Sequence, residues 1–384
     1  MAAGADGRTY ELGLDLPLSG IDGASAIPAR NAVILAIDDA NRLGFPGGAR
    51  VALSDLDDAV QGKHDPAQGA VNLKAFVGDS GVLAVVGPMN SNVAKAEIPI
   101  SNAAGLAQIT MAATSIELTR GSDARKLRFA RPDRPAFFRV CASDDRQGAA
   151  LARFARARGL RRAFVIDDNE SYGRGLADVF ATAFPAAGGT ILGREHLTSF
   201  ALDYKALLTK IRASEPDAVF FGGIVSTGGA VLRRQMADVG LDRVAYLGGD
   251  GLASPEYVPL AGRAAENTYF TLIAPDVDHL PEARAFRTAY RARFRAEPGN
   301  YSAGAYAAAR VALAAIRIAL AAHGNASTRD AVRDAVARTS GLVTPIGPVA
   351  FDGGGDLRDP IVSLYRVRGG KVQFVDELRE PRRH

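Results

Sequence analysis

Two short polar stretches, each placed after an apolar run, carry the residues best suited to chemistry. Pro88-Met89-Asn90-Ser91-Asn92 follows Val82-Leu83-Ala84-Val85-Val86-Gly87, and Ala112-Ala113-Thr114-Ser115 follows a second short apolar run. Two hydroxyl-bearing loops leaving two parallel strands predict a clamp for a small molecule. In an open α/β sheet the loops beyond the strands' carboxyl ends form the ligand crevice, and backbone N–H groups at the following helix N-termini hold an anion without a cationic side chain. Ser91 and Thr114 also have a plainer use as helix N-caps, worth about 1 kcal/mol each.

The elements that must position these loops repeat a β-α grammar. Apolar periodicity predicts strands at about 10–16, 50–55, 82–86 and 107–111, with helices at about 26–43, 66–78 and 92–104. A second stretch repeats it, with helices at 146–158, 174–184, 203–213 and 228–239 and strands at 163–166, 190–196, 218–221 and 244–247. Two doubly wound α/β sheets follow. After about residue 273 come Ala/Arg-rich helices at 282–295 and 302–322, a helix at 327–338 introduced by Ser327-Thr328, and a closing β-hairpin around Gly369-Gly370. Asp352-Gly353-Gly354-Gly355-Asp356 lacks the ligand count of a calcium loop and reads as a β-turn.

Bulk composition agrees. At 384 residues the chain exceeds one ordinary core and suits two domains, and 47% hydrophobic with 23% charged residues is globular. Seven of the 46 basic residues are Lys, leaving 39 Arg, and the net charge is only +4, a weak basis for nucleic-acid or membrane affinity. Cys141 stands alone and the five His are scattered, so neither an intrachain disulfide nor a metal site is expected, and no cofactor. No uninterrupted apolar run reaches the roughly 20 residues of a membrane span; Val311–Ile316 meets Arg317. The first residues lack the charged and apolar regions of an export signal, which leaves localisation open.

With Leu16-Pro17-Leu18-Ser19-Gly20, the two loops, Ser143-Asp144-Asp145-Arg146-Gln147-Gly148, Asp167-Asp168-Asn169-Glu170-Ser171-Tyr172-Gly173, Gly249-Asp250-Gly251 and Ile346–Asp352 in this order, nearly the whole chain resembles the leucine/isoleucine/valine-binding proteins of bacterial ABC importers. The resemblance implies a type I periplasmic-binding-protein fold: two Rossmann-like lobes, 8–140 with 274–345 and 141–273 with 346–377, joined by crossings near 139–143, 271–275 and 345–348. It implies an extracytoplasmic, monomeric receptor that captures an amino acid or related small carboxylate by hinge closure and delivers it to a membrane permease. It also implies roles for single residues. Ser91 and the N–H of Thr114 would hold an α-carboxylate, while the Ala112 carbonyl and the Thr114 hydroxyl would receive the ammonium, with Asn90 and Ala113 as further ligand-binding positions. Asp250 would be its counter-charge, Tyr172 and Ile224 would close over the ligand, and Tyr301 would line the side-chain pocket. Read as residues alone, Asp250 is equally a turn Asp, and Tyr172 and Tyr301 are equally packed tyrosines.

The departures bear on specificity. Ser25 falls where leucine binders of that family carry an aromatic, Ile224 where they carry Tyr, and the loop disulfide's positions fall on Val60 and Asn90. Asp250 is one methylene shorter than the usual Glu. The pocket therefore loses aromatic walls. An enzyme is disfavoured, because G-x-S-x-G, P-loop, H-E-x-x-H and full G-x-G-x-x-G motifs are all missing. The basic run from Arg120 through Arg125, Lys126, Arg128 and Arg131 to Arg134, with Phe129, Phe137 and Phe138, reads as a solvated loop rather than a nucleic-acid surface. A ligand-sensing regulator of the same fold, amide- or amino-acid-responsive, stays open beside the importer receptor.

Overall fold

A computed structural model describes residues 7–197, 203–324 and 328–378. The chain forms β1 (Thr9–Leu16), α1 (Gly23–Leu43), β2 (Arg50–Asp57), β3 (Ala59–Val60), β4 (Lys63–His64), α2 (Pro66–Gly78), β5 (Val82–Val86), α3 (Ser91–Ala104), β6 (Ala107–Thr110), α4 (Gly121–Leu127) and β7 (Phe137–Arg139). It continues through α5 (Asp144–Ala157), β8 (Arg162–Asp167), α6 (Ser171–Ala186), β9 (Thr190–His196), α7 (Lys205–Ala213), β10 (Ala218–Gly222), α8 (Ala230–Asp238), β11 (Ala245–Gly248), α9 (Tyr257–Ala261) and β12 (Thr268–Leu272). Last come α10 (Ala283–Phe294), α11 (Ser302–His323), α12 (Arg329–Ala337), β13 (Leu342–Thr344), β14 (Gly347–Val349), β15 (Val362–Arg368) and β16 (Lys371–Leu378).

Two compact units result, one running to Cys141 and resuming at Val277–Pro360, the other Ala142–Asp276 with the chain from Ile361. The first holds a parallel sheet in the order β2-β1-β5-β6-β7. The path steps one way from β1 to β2 and the other way from β2 to β5 and β6, so right-handed crossovers put α1 on one face and α2 and α3 on the opposite one. All five residues of β5 are buried, as a parallel strand covered on both faces requires. Asp65 starts α2 by accepting the Gln68 N–H at 2.8 Å, with Pro66 next in line. At the exit of β5, Gly87 has φ 116°, and a Cβ there would lie 2.1 Å from the Asp15 carbonyl oxygen. Only glycine lets the first polar loop leave so close to β1.

In the second unit β9, β8, β10, β11 and β12 run parallel, and β15 and β16 extend the sheet antiparallel beyond β12. Consecutive residues of β10 serve opposite cores. Phe220 stacks on Phe180 of α6 with ring centroids 4.1 Å apart, while Phe221 stacks with Tyr246 on the other side.

Several expectations change. Residues 346–360 were expected with the second lobe but belong to the first unit, so the third crossing lies at Pro360/Ile361. The cause is local: β14 pairs with β13, Phe351 packs on Phe138 at 5.2 Å, and Asp356 turns inward onto Arg139. The basic run is a solvated loop only in part: Arg125, Lys126 and Phe129 are exposed and 128–136 forms turns and loop, but α4 lies within the run, Phe137 and Phe138 are buried in β7 just after it, Arg131 pairs with Asp330, and Arg134 with Asp334 at 2.8 Å. Thr328 caps α12, accepting from the Ala331 N–H at 3.2 Å; Ser327 lies outside the described residues. Contrary to the run-length reading, α11 is long and apolar enough to span a membrane, yet 67% of its most apolar stretch is buried, as suits a core helix.

Candidate functional site

The first unit gathers Asn90, Ser91, Ala112, Ala113 and Thr114. Asn90 is the N-cap residue of α3, but its side chain caps nothing and its buried Oδ1 has no partner. Ser91 opens the helix, and its Oγ accepts the Ser115 N–H at 3.2 Å, joining the two loops. Thr114 is fully buried, and its hydroxyl has no hydrogen-bond partner. Neither hydroxyl caps a helix. A buried hydroxyl without a partner costs stability, and such groups are uncommon in folded proteins.

Two residues the sequence reading passed over orient the second loop. The Oγ1 of Thr110 donates to the Pro88 carbonyl at 2.6 Å and accepts the N–H groups of Ala112 and Ala113 at 3.1 and 3.0 Å. Arg139, fully buried on β7, donates from Nη1 to the carbonyls of Ala113 and Ser115 at 3.3 and 2.9 Å. Within a planar trans peptide the C=O and N–H point in opposite directions. With the Ala113 N–H turned to Thr110, the Ala112 carbonyl faces away from it; with the Ala113 carbonyl turned to Arg139, the Thr114 N–H faces away from Arg139. One acceptor and one donor, the pair a zwitterion needs, are thus presented by backbone anchored from behind. Arg139 is itself held by Asp356 at 2.6 Å and by the Thr119 hydroxyl. Desolvation works to raise the Asp356 pKa, but the charge and hydrogen bond of Arg139, the Arg120 charge and the Thr119 hydroxyl together outweigh it and keep the carboxyl below its ordinary range.

Ser25 lies half-buried in the first turn of α1, and Tyr301 is buried just before α11. Their helix ends converge: Ser302 Oγ donates to the Pro28 carbonyl at 3.0 Å, and a Cβ on Gly304 would lie 3.1 Å from that of Met111, the neighbour of Ala112.

In the second unit Tyr172, Ile224 and Asp250 come together. Asp250 is buried after β11, and its Oδ1 accepts the Tyr172 hydroxyl at 3.0 Å and the Gln147 Nε2 at 2.9 Å. The Tyr172 hydroxyl also accepts the Gly251 N–H at 3.1 Å. A Cβ at Gly251 would fall 2.7 Å from Ile224 Cγ2 and 3.0 Å from the Tyr172 ring, so these side chains close on bare backbone. Ile224 donates its N–H to Thr227 Oγ1 at 3.1 Å, and that hydroxyl donates its one proton to Asp168 at 2.7 Å. Gln147, within the Ser143–Gly148 phrase, is a third residue whose role the sequence does not show. Its signal was position: it lies on the first turn of a helix starting beside a chain crossing.

Behind α3 the first unit buries three further carboxyls, Asp15, Asp58 and Glu97. Asn72 donates to Asp15 at 2.7 Å and Gln108 donates to Glu97. Burial raises all three pKa values, that of Asp15 to about 6. No group of three or more His, Cys, Asp or Glu suited to a metal ion occurs among the described residues.

Two α/β units with three chain crossings, each presenting polar loops beyond its strands' carboxyl ends, define a type I binding-protein fold. The chain belongs to the periplasmic binding protein family, whose model matches residues 9–371. It is 33% identical to the Leu/Ile/Val-binding protein BraC3 of Rhizobium johnstonii, over 94% of this chain and 92% of that protein. A Leu/Ile/Val-binding protein homolog of Brucella melitensis is 31% identical over the same shares. Among solved structures, the leucine-binding protein LivK of Thermotoga maritima superposes with TM-score 0.84 at 26% identity, covering 96% of this chain and 99% of that one. LivJ of Streptococcus pneumoniae, solved with isoleucine, gives 0.82 at 25% identity, covering 97% and 100%.

Proposed function

We propose that this protein is the solute-binding receptor of an ABC importer, an extracytoplasmic monomer that captures an amino acid or related small carboxylate and hands it to a membrane permease. It performs no chemistry on its cargo and uses no cofactor. One observation carries the reading: the first unit offers uncharged donors at Ser91 and Thr114, and the second a buried carboxylate, Asp250, held by a phenol and an amide. That division suits a zwitterion, whose carboxylate takes neutral donors and whose ammonium needs a negative partner. Relatives named for leucine, isoleucine and valine support the class of ligand. Ser25 and Ile224, in place of aromatic residues, favour a side-chain pocket shaped by aliphatic and small polar groups.

A thermal-shift screen of the twenty amino acids and their deaminated acids tests the class, because a ligand that binds only the folded protein raises its melting temperature. Asp250→Asn then tests the charge. Its affinity for L-leucine should fall by about 3 kcal/mol, roughly 100-fold, with little change for 4-methylpentanoate, the deaminated counterpart. Equal losses for both compounds would remove Asp250 from the role.

A further inference from the structure

Gln147 makes four hydrogen bonds with its one side-chain amide. Its Nε2 donates to Asp250 Oδ1 at 2.9 Å and to Asp144 Oδ1 at 3.2 Å, and its Oε1 accepts the Asp250 N–H at 2.8 Å and the Thr271 hydroxyl at 2.7 Å. The amide's orientation is fixed by chemistry: a backbone N–H can only donate, so oxygen must face it, and the carboxylates require the nitrogen. Asp250 is therefore gripped twice by one residue, at its backbone and at its carboxylate. The grip is also sealed sterically, since a Cβ at Gly249 would lie 3.2 Å from the Gln147 amide carbon and 2.4 Å from the Tyr172 hydroxyl.

We propose that Gln147 is the positioning residue that presents Asp250 as the amine acceptor of the ligand, an inference that rests on the zwitterion reading. Three elements meet at this amide. Gln147 lies on α5, which begins just past the Cys141/Ala142 crossing; Thr271 lies on β12, and the next residue but one, Ile273, accepts the Ala142 N–H at 2.9 Å. The Asp250 loop follows β11. The amide thus ties the carboxylate to the segments beside two of the three chain crossings, those that open and close the Ala142–Asp276 stretch of the second unit. Titratable groups facing it include Asp144 on its own helix, Asp250, and Tyr172 from α6 through Asp250. A neutral amide donor between two carboxylates holds Asp250 in place without neutralising it, leaving its charge for an ammonium group.

The test compares the full-length protein with Gln147→Met, which keeps the side-chain length but makes none of the four bonds, and Gln147→Glu, which keeps the shape but sets a third carboxyl against Asp144 and Asp250. Calorimetry at pH 8 with L-leucine and 4-methylpentanoate is the binding readout, with melting temperatures confirming that both variants fold. The expected result is a loss of about 30-fold for L-leucine in Gln147→Met, with 4-methylpentanoate within about twofold of the parent, and a larger loss for L-leucine in Gln147→Glu. Equal losses for both probes, or no loss, would overturn the proposal and leave Gln147 a packing residue. A second readout needs no ligand: the Asp250 carboxyl carbon, assigned by Asp250→Asn and titrated by NMR, should show a midpoint about one pH unit higher in Gln147→Met, because a donor to the charged form is gone. If the parent protein bound neither probe, the amino-acid reading would fall and this titration alone would decide: a raised midpoint supports the positioning role, an unmoved one sinks it.

Discussion

Asp168 is buried at the end of β8, where Thr227 Oγ1 donates to its Oδ2 at 2.7 Å and the Glu170 N–H donates to its Oδ1 at 3.1 Å. Burial, followed by the nearby Glu170 charge, pushes its pKa from 3.8 to about 7, although both hydrogen bonds pull the other way. Between those values the native protein holds a proton that the unfolded chain has released. Stability from this group is therefore present at low pH and lost as the pH rises through about 7. At 1.36 kcal/mol per pH unit the full window is worth about 4 kcal/mol, an upper bound that local relaxation would reduce to roughly 2. Asp168→Asn keeps the shape and the acceptor for the Glu170 N–H but cannot ionise. Urea unfolding should place the variant within about 1 kcal/mol of the parent at pH 5 and about 2–4 kcal/mol above it at pH 8. A difference that is the same at both pH values, or a variant weaker at pH 8, would refute the assignment of a costly buried charge.

Other perturbations probe the first unit. Thr114→Val removes a buried hydroxyl without a partner, so the empty protein should gain about 1 kcal/mol in urea unfolding while L-leucine binding by calorimetry weakens about tenfold. Arg139→Met leaves the buried Asp356 with its ion pair to Arg120, at 2.8 Å, but without that to Arg139. Chemical denaturation should show a loss of about 3 kcal/mol, partly recovered when Asp356→Asn is added. Glu97→Gln removes an acid whose pKa burial raises well above normal. Because such a group loses its stabilising proton as the pH rises, the variant's stability should decline less than the parent's from pH 5 to pH 8.

Much of the architecture was legible because it is written in local periodicity. The buried run of β5 and the amphipathic helices that follow each strand need no tertiary information, and several bounds, those of α2 and β9 among them, match the residues themselves. What escaped was short or long-range. The three residues of β7 sit amid arginines whose partners, Asp330, Asp334 and Asp356, are about 200 positions away, so sequence shows the charges without their neutralisation. β12 ends beside a crossing and gave no strand signal distinct from the change of pattern after it. At the candidate site, Ser91, Thr114, Tyr172 and Asp250 stood out because polar residues after apolar strands are conspicuous. Thr110, Arg139 and Gln147 did not, since they act by holding other groups from behind and only a folded backbone reveals what they hold.

The interleaving of the two units along the chain has a consequence for biogenesis. The sheet β2-β1-β5-β6-β7 is complete in sequence by Arg139, yet α11 and α12, which cover β5 and β6, start only at Ser302 and Arg329. At ribosomal speeds of roughly 5–20 residues per second, the first unit waits on the order of ten seconds or more for that cover. A truncation after Cys141 should accordingly yield a sticky, chaperone-dependent fragment rather than a free-standing module. The order of translation, as well as the pattern of contacts, decides when the molecule's first half can become stable.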